Sequence, residues 1–125
     1  MAYQAPLAKV RGLGSAKSGT AHWWMQRVTA FALVPLTFWL LSFLTMGLNA
    51  PYQETLVWLA EPVHTVAIVA WLLLACYHGA LGLQVVIEDY AGENIKIIAV
   101  WAVNLSFLLL ALAAVIAVLR IVLAG

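Results

Sequence analysis

The chain has 125 residues, 66% of them hydrophobic and 9% charged, with a formal net charge of +1. A soluble domain carries about a quarter charged residues, so this is membrane composition. It excludes a soluble catalytic domain, and any chemistry belongs in the bilayer or to a partner subunit.

Three runs, 28–48, 63–87 and 97–119, lack Asp, Glu, Lys and Arg over 21, 25 and 23 residues. A helix needs roughly 20 residues to cross ~30 Å of hydrocarbon. Only helices and closed barrels satisfy their backbone groups in lipid, and these runs lack the alternation of a barrel strand. The expected fold is an all-α membrane protein, one domain over 1–125. Its three transmembrane helices are expected at about 21–48, 63–89 and 96–121, after a flexible tail over 1–19.

The tail holds Gly12, Gly14 and Gly19 among small and basic residues, and is expected to be flexible or ordered only against a partner. It lacks the basic segment and short apolar stretch of a cleavable signal. The start at Met1 without a presequence favours a bacterial inner membrane over a mitochondrial one. Residues 12–18 have the flavour of a phosphate-binding loop, but Ala16 precedes Lys17 where glycine is required and no strand leads in, so nucleotide binding is set aside.

Ser18 or Thr20 can cap the first helix. His22, Trp23, Trp24, Gln26 and Arg27 follow at interfacial depth, where tryptophan is favoured and His22 reads as a polar anchor. Arg27 either snorkels to the headgroups or turns inward to pair with an anionic group. Pro35 removes one backbone bond and predicts a kink. Asn49, Ala50 and Pro51 end the helix, and a short outer loop is expected up to Pro62, which suits the first turn of the next.

In the second span His78 lies slightly inward of the middle, followed by Gly79 and Gly82. A polar ring in hydrocarbon is costly and marks a site hypothesis. Gly82 is one turn on and shares its face, leaving room for a flat ring system against the backbone. A neutral imidazole is an axial ligand for haem iron. It also serves as a hydrogen-bonding residue between helices that glycines bring close. The residues alone leave both readings open. His64, fourteen positions earlier, falls within ~40° of the same face. It reads either as interfacial or as a ligand for a second haem. Cys76 reads as an apolar filler.

Glu88, Asp89 and Tyr90 close the second span before Gly92, a natural stop. Eleven helical residues turn about 1100° and rise ~16 Å, so Asp89 shares the His78 face if the helix continues that far. A phenol donates to a carbonyl, and a carboxylate orients it, which suits a quinone at the interface. An interfacial tyrosine and helix-end acids are also ordinary. The third span is aliphatic, with Asn104 and Ser106 expected to give packing and an interhelical hydrogen bond.

Lys9, Arg11, Lys17, Arg27 and Lys96 share one membrane face, against Arg120 alone on the other. The positive-inside bias puts the N-terminus inside and the C-terminus outside. The direction from His78 to Tyr90 then runs toward the inner face.

The segment 77–90, with His78, the glycines after it, and Asp89 and Tyr90 eleven and twelve residues on, resembles the signature of the succinate dehydrogenase hydrophobic membrane anchor subunit family. Residues 12–19 and the run Gln26, Arg27, Val28, Thr29 and Ala30 resemble its N-terminal region. The resemblance implies half of a heterodimeric helix bundle. It implies that His78 is an axial ligand of haem b, the second ligand coming from a cytochrome b membrane subunit. Gly82 would pack against the haem, Arg27 would lie near its propionates, and Tyr90 with Asp89 would bind ubiquinone. An iron–sulfur subunit and a flavoprotein subunit would dock on the inner face and oxidise succinate to fumarate. An anchor of a quinol:fumarate reductase and a non-redox scaffold or transporter subunit are the alternatives. His64 departs from the family pattern, and one haem or two stays open.

Overall fold

A computed structural model describes residues 3, 5–12 and 19–124. They form five helices: α1 (Pro6–Val10), α2 (Gly19–Asn49), α3 (Tyr52–Ala60), α4 (Pro62–Tyr90) and α5 (Glu93–Ala124). Ser18 and most of the stretch 12–18 lie outside the described residues. The three long helices, of 31, 29 and 32 residues, are each long and apolar enough to cross a membrane. They overrun the uncharged runs because a helix crossing hydrocarbon keeps its backbone bonded into the interface, where charged residues are welcome.

Local chemistry explains the ends. Pro6 opens α1 at a position where its missing N–H is no loss. Gly12 follows the helix with φ of 64°, the left-handed turn that glycine adopts without strain. Pro62 begins α4 in the same way as Pro6, with Glu61 as an extended cap. The helix assignment of α2 runs through Pro35 unbroken. α4 reaches Tyr90, so Asp89 and Tyr90 are helical.

The expected outer loop is a helix instead. Between Pro51 and Pro62, α3 repeats Tyr52, Leu56 and Leu59 at helical spacing, a pattern too short to stand out between two prolines. Leu59 is buried, and α3 lies against α2, α4 and α5.

α4 is the centre of the molecule. It packs on α2 along one side and α5 along the other, while α2 and α5 do not touch each other. The three spans therefore form an open layer rather than a closed bundle. Large apolar side chains stay exposed along it, including Phe31, Phe38, Trp101 and Leu109. In a membrane protein such faces meet lipid or other subunits.

The two seams of α4 differ in kind. The α2–α4 seam is crossed by three polar rungs: Thr29 with His78 at 2.9 Å, Trp71 Nε1 donating to Thr37 Oγ1 at 3.0 Å, and Trp39 Nε1 donating to His64 Nδ1 at 3.2 Å. The α4–α5 seam is apolar, and Gly79 is its contact point. A Cβ there would stand 2.9 Å from Phe107 Cε1, so the absent side chain lets the Phe107 ring reach the α4 backbone. Among the described residues Asn104 and Ser106 do not form the expected interhelical bond. Ser106 Oγ donates to Ala102 O one turn back, because a hydroxyl on a helix finds its own carbonyl most easily. Asn104 lines a groove between α4 and α5.

Candidate functional site

The candidate site lies between the first half of α2 and the second half of α4. His22, Trp23, Gln26, Arg27 and Ala30 recur at helical spacing and turn one face of α2 toward His78, Gly82 and Val85 on α4. Together with Gly19 they line a groove of about 580 Å³. His78 is half-buried at its wall, and the most secluded side chain among the described residues lies behind it. That side chain is the hydroxyl-bearing Thr29, 2% exposed, where a soluble core would hold a leucine or a phenylalanine.

Thr29 Oγ1 stands 2.7 Å from Met25 O, 3.1 Å from Gln26 O and 2.9 Å from His78 Nδ1. The other ring nitrogen of His78, Nε2, lies 3.5 Å from Gln26 Nε2. Two buried polar atoms at the groove have no hydrogen-bond partner among the described residues, His22 Nε2 and Gln26 Oε1. An unsatisfied buried group costs about 1–3 kcal/mol. Two at one place mark a wall built to meet a further polar group.

Gly82 contributes space. A Cβ at that position would meet only Gln26 Nε2, at 3.6 Å, so the groove floor is open backbone. The two glycines after His78 therefore serve opposite faces of α4: Gly79 is filled by Phe107, and Gly82 is left open. Arg27 is exposed at the groove edge, with its guanidinium 4.9 Å from the centroid of the Trp23 ring. The cation is held by an aromatic face rather than by a carboxylate, which leaves its donors available for an anion.

His64 is placed differently. Its ring stacks on Trp58 with centroids 3.4 Å apart, and Trp58, Phe43 and Trp39 continue the stack. Nδ1 accepts from Trp39, and Nε2 faces Glu61 Oε2 at 3.6 Å. Both nitrogens thus look at protein groups, and the side chain is 19% exposed. This histidine closes the end of the seam beside α3, far from His78.

Asp89 and Tyr90 are not brought to the groove. Both are exposed at the end of α4, Tyr90 at 87%, and neither makes a side-chain hydrogen bond among the described residues. Gln84 Nε2 instead donates to Glu88 Oε1 at 2.8 Å. Among the described residues no three His, Cys, Asp or Glu side chains converge, so His78 is a single donor rather than part of a cage.

Sequence reasoning placed His78, Gly82 and Arg27 at one site and treated Thr29 only as part of a matching run. The signal was available: Thr29 lies three residues after Gln26 and seven after His22, on their face of α2. What the spacing could not supply was the antiparallel register that sets Thr29 against His78. The Trp39–His64 and Trp71–Thr37 pairs were missed for the same reason.

Comparison with known proteins adds a separate line of argument. The family described as succinate dehydrogenase/fumarate reductase transmembrane subunit matches residues 1–118. A succinate dehydrogenase hydrophobic membrane anchor subunit from Rickettsia bellii is 38% identical over 92 residues, covering 74% of each chain. The protein of the same name from Paracoccus denitrificans is 28% identical over 90 residues, covering 72% of this chain and 70% of its own. A succinate dehydrogenase membrane anchor subunit from Reclinomonas americana is 27% identical over 92 residues, covering 70% and 77%. No solved structure matches.

Proposed function

We infer the function from one premise: the chain belongs to the succinate dehydrogenase/fumarate reductase transmembrane subunit family. It is a membrane anchor subunit of that enzyme complex. Beyond this, we propose that it holds one face of a b-type haem through His78 and contributes Tyr90 and Asp89 to a ubiquinone site. The observation that carries the haem reading is the His78 groove, where a ring nitrogen, an open glycine floor and two orphaned polar atoms meet.

The residues present fit the group. His78 would ligate the iron through Nε2, Gly82 would lie under the ring, and Arg27 would pair with a propionate. When bound, the haem supplies a one-electron carrier inside the bilayer. The chain's part is to hold and orient it, and to exclude water with apolar walls. A single donor on this chain calls for a second imidazole from a cytochrome b membrane subunit, and the open layer of three helices leaves a face for that subunit. His64 accepts from Trp39 at Nδ1 and is stacked on Trp58, which favours one haem over two.

The exposed position of Tyr90 supports a quinone site completed by other subunits, an iron–sulfur protein among them, with a flavoprotein beyond it. The phenol would donate to a quinone carbonyl, and Asp89 would orient it. The lysine and arginine distribution supports an inside N-terminus, so Tyr90 would face the side on which these subunits dock. We place the chain in a bacterial plasma membrane, a reading supported by three helices able to cross a membrane and by relatives from Rickettsia and Paracoccus.

The test is purification of the complex from membranes carrying His78→Ala. Loss of the b-type signal in reduced-minus-oxidised spectra is expected. An unchanged spectrum would sink the ligand assignment. Fumarate reduction, the reverse direction, is covered by the same family description and predicts the same spectrum. Turnover assays in both directions separate the two.

A further inference from the structure

We propose that Thr29 is a positioning residue for His78: its Oγ1 accepts a hydrogen bond from the ring Nδ1–H, so that the lone pair lies on Nε2, the nitrogen on the side of Gln26 and the groove. The inference rests on the reading of His78 as a haem ligand and adds what sets its chemistry.

One hydroxyl proton decides the tautomer. Thr29 Oγ1 lies 2.7 Å from Met25 O and 3.1 Å from Gln26 O, and both carbonyls only accept. Two oxygens at 2.7 Å need a proton between them, so the Thr29 hydroxyl donates to Met25 O. It then has only lone pairs to offer His78 Nδ1 at 2.9 Å. The ring must donate, and Nδ1 carries the proton. In a neutral imidazole the other nitrogen is then an acceptor. The Gln26 side-chain amide lies on the far side of the ring, its Nε2 3.5 Å from His78 Nε2.

The relay runs from His78 Nδ1–H to Thr29 Oγ1–H to the Met25 carbonyl. It fixes the tautomer and the ring plane without a charged group. Burial makes it stringent, because at 2% exposure no water stands in for the hydroxyl. Hydrogen bonding at the outer nitrogen raises the basicity of a metal-bound imidazole. A more basic axial ligand stabilises oxidised iron, so the relay lowers the haem midpoint potential.

The experiment uses the intact membrane complex with Thr29→Val, Thr29→Ser and His78→Ala. Haem content is read from difference spectra and the midpoint potential from a redox titration, both independent of turnover. Valine keeps the shape and removes the acceptor: the midpoint should move upward and haem affinity should fall about ten- to a hundredfold. Serine restores the oxygen and should return both to the native values. If the valine complex does not assemble, Thr29→Ala reads the same two quantities without added bulk. A native midpoint in the valine or alanine complex overturns the relay and leaves the ligand reading standing. So does a serine complex shifted as far as valine. A native spectrum in His78→Ala overturns the ligand reading, and the relay's role with it.

Discussion

His64 and His78 lie on one face of one helix, fourteen residues apart, and their surroundings make them opposites. His64 accepts at Nδ1 from Trp39 and turns Nε2–H toward Glu61. His78 has Thr29 Oγ1 at 2.9 Å from Nδ1, to which the ring donates in the relay proposed above, and its Nε2 lies on the Gln26 side. The His64 ring is packed between aromatics, and the His78 ring has open backbone near it at Gly82. Same residue, same helix and same phase yield a structural plug at one end and a donor at the other. The neighbours on α2 decide which, because an indole can only donate and a threonine already bound to a carbonyl can only accept.

Substitutions at the two ends should separate cleanly. The largest effect belongs to His78→Ala, which should remove the b-type spectrum, whereas His64→Ala should leave it intact. If His64→Ala also abolishes the spectrum, the contrast is broken. Next, Tyr90→Phe should slow quinone reduction about tenfold, the worth of one hydrogen bond of roughly 1.4 kcal/mol, with succinate oxidation by artificial acceptors unchanged. Its exposure predicts no loss of thermal stability. At the outer end Trp58→Ala should cost roughly 2 kcal/mol, less than full burial would imply because the ring is only half-buried. Thermal unfolding of the complex measures this, and haem content should not change.

Two glycine substitutions sharpen the comparison within α4. Gly79→Ala sets a methyl against Phe107, and overpacking of this kind costs about 1–3 kcal/mol. Gly82→Ala meets only the Gln26 amide, so the fold should be unaffected while haem retention falls. Reversal of that pattern, with Gly82 governing stability and Gly79 the cofactor, would exchange the roles assigned to the two faces.

Much of this was legible in the chain. Uncharged runs of 21, 25 and 23 residues announce three spans, and the phase of His78 with Gly82 announces a face. The nine residues of α3 were not legible, since two prolines and a single apolar repeat look like a loop until the burial of Leu59 is known. Thr29 was not legible as a key residue either. A threonine in a transmembrane run is unremarkable by composition, and its importance comes from register across the seam. α4 does reach Asp89 and Tyr90, as expected of a helix continuing past His78, and among the described residues both side chains stay exposed.

The three rungs of the α2–α4 seam have a consequence for depth. Residues 29, 37 and 39 of one helix meet 78, 71 and 64 of the other, so the two rods cannot slide without breaking all three bonds together. A slip of one turn would carry the His78 ring ~5.4 Å along the helix axis. Trp23 and Trp24 meet edge to face near the start of α2, and tryptophans favour the headgroup zone, so the rungs would carry an anchorage there across to α4. The distance from the membrane edge to whatever the imidazole holds is thus a property of helix alignment, written in hydrogen bonds well away from the ring itself.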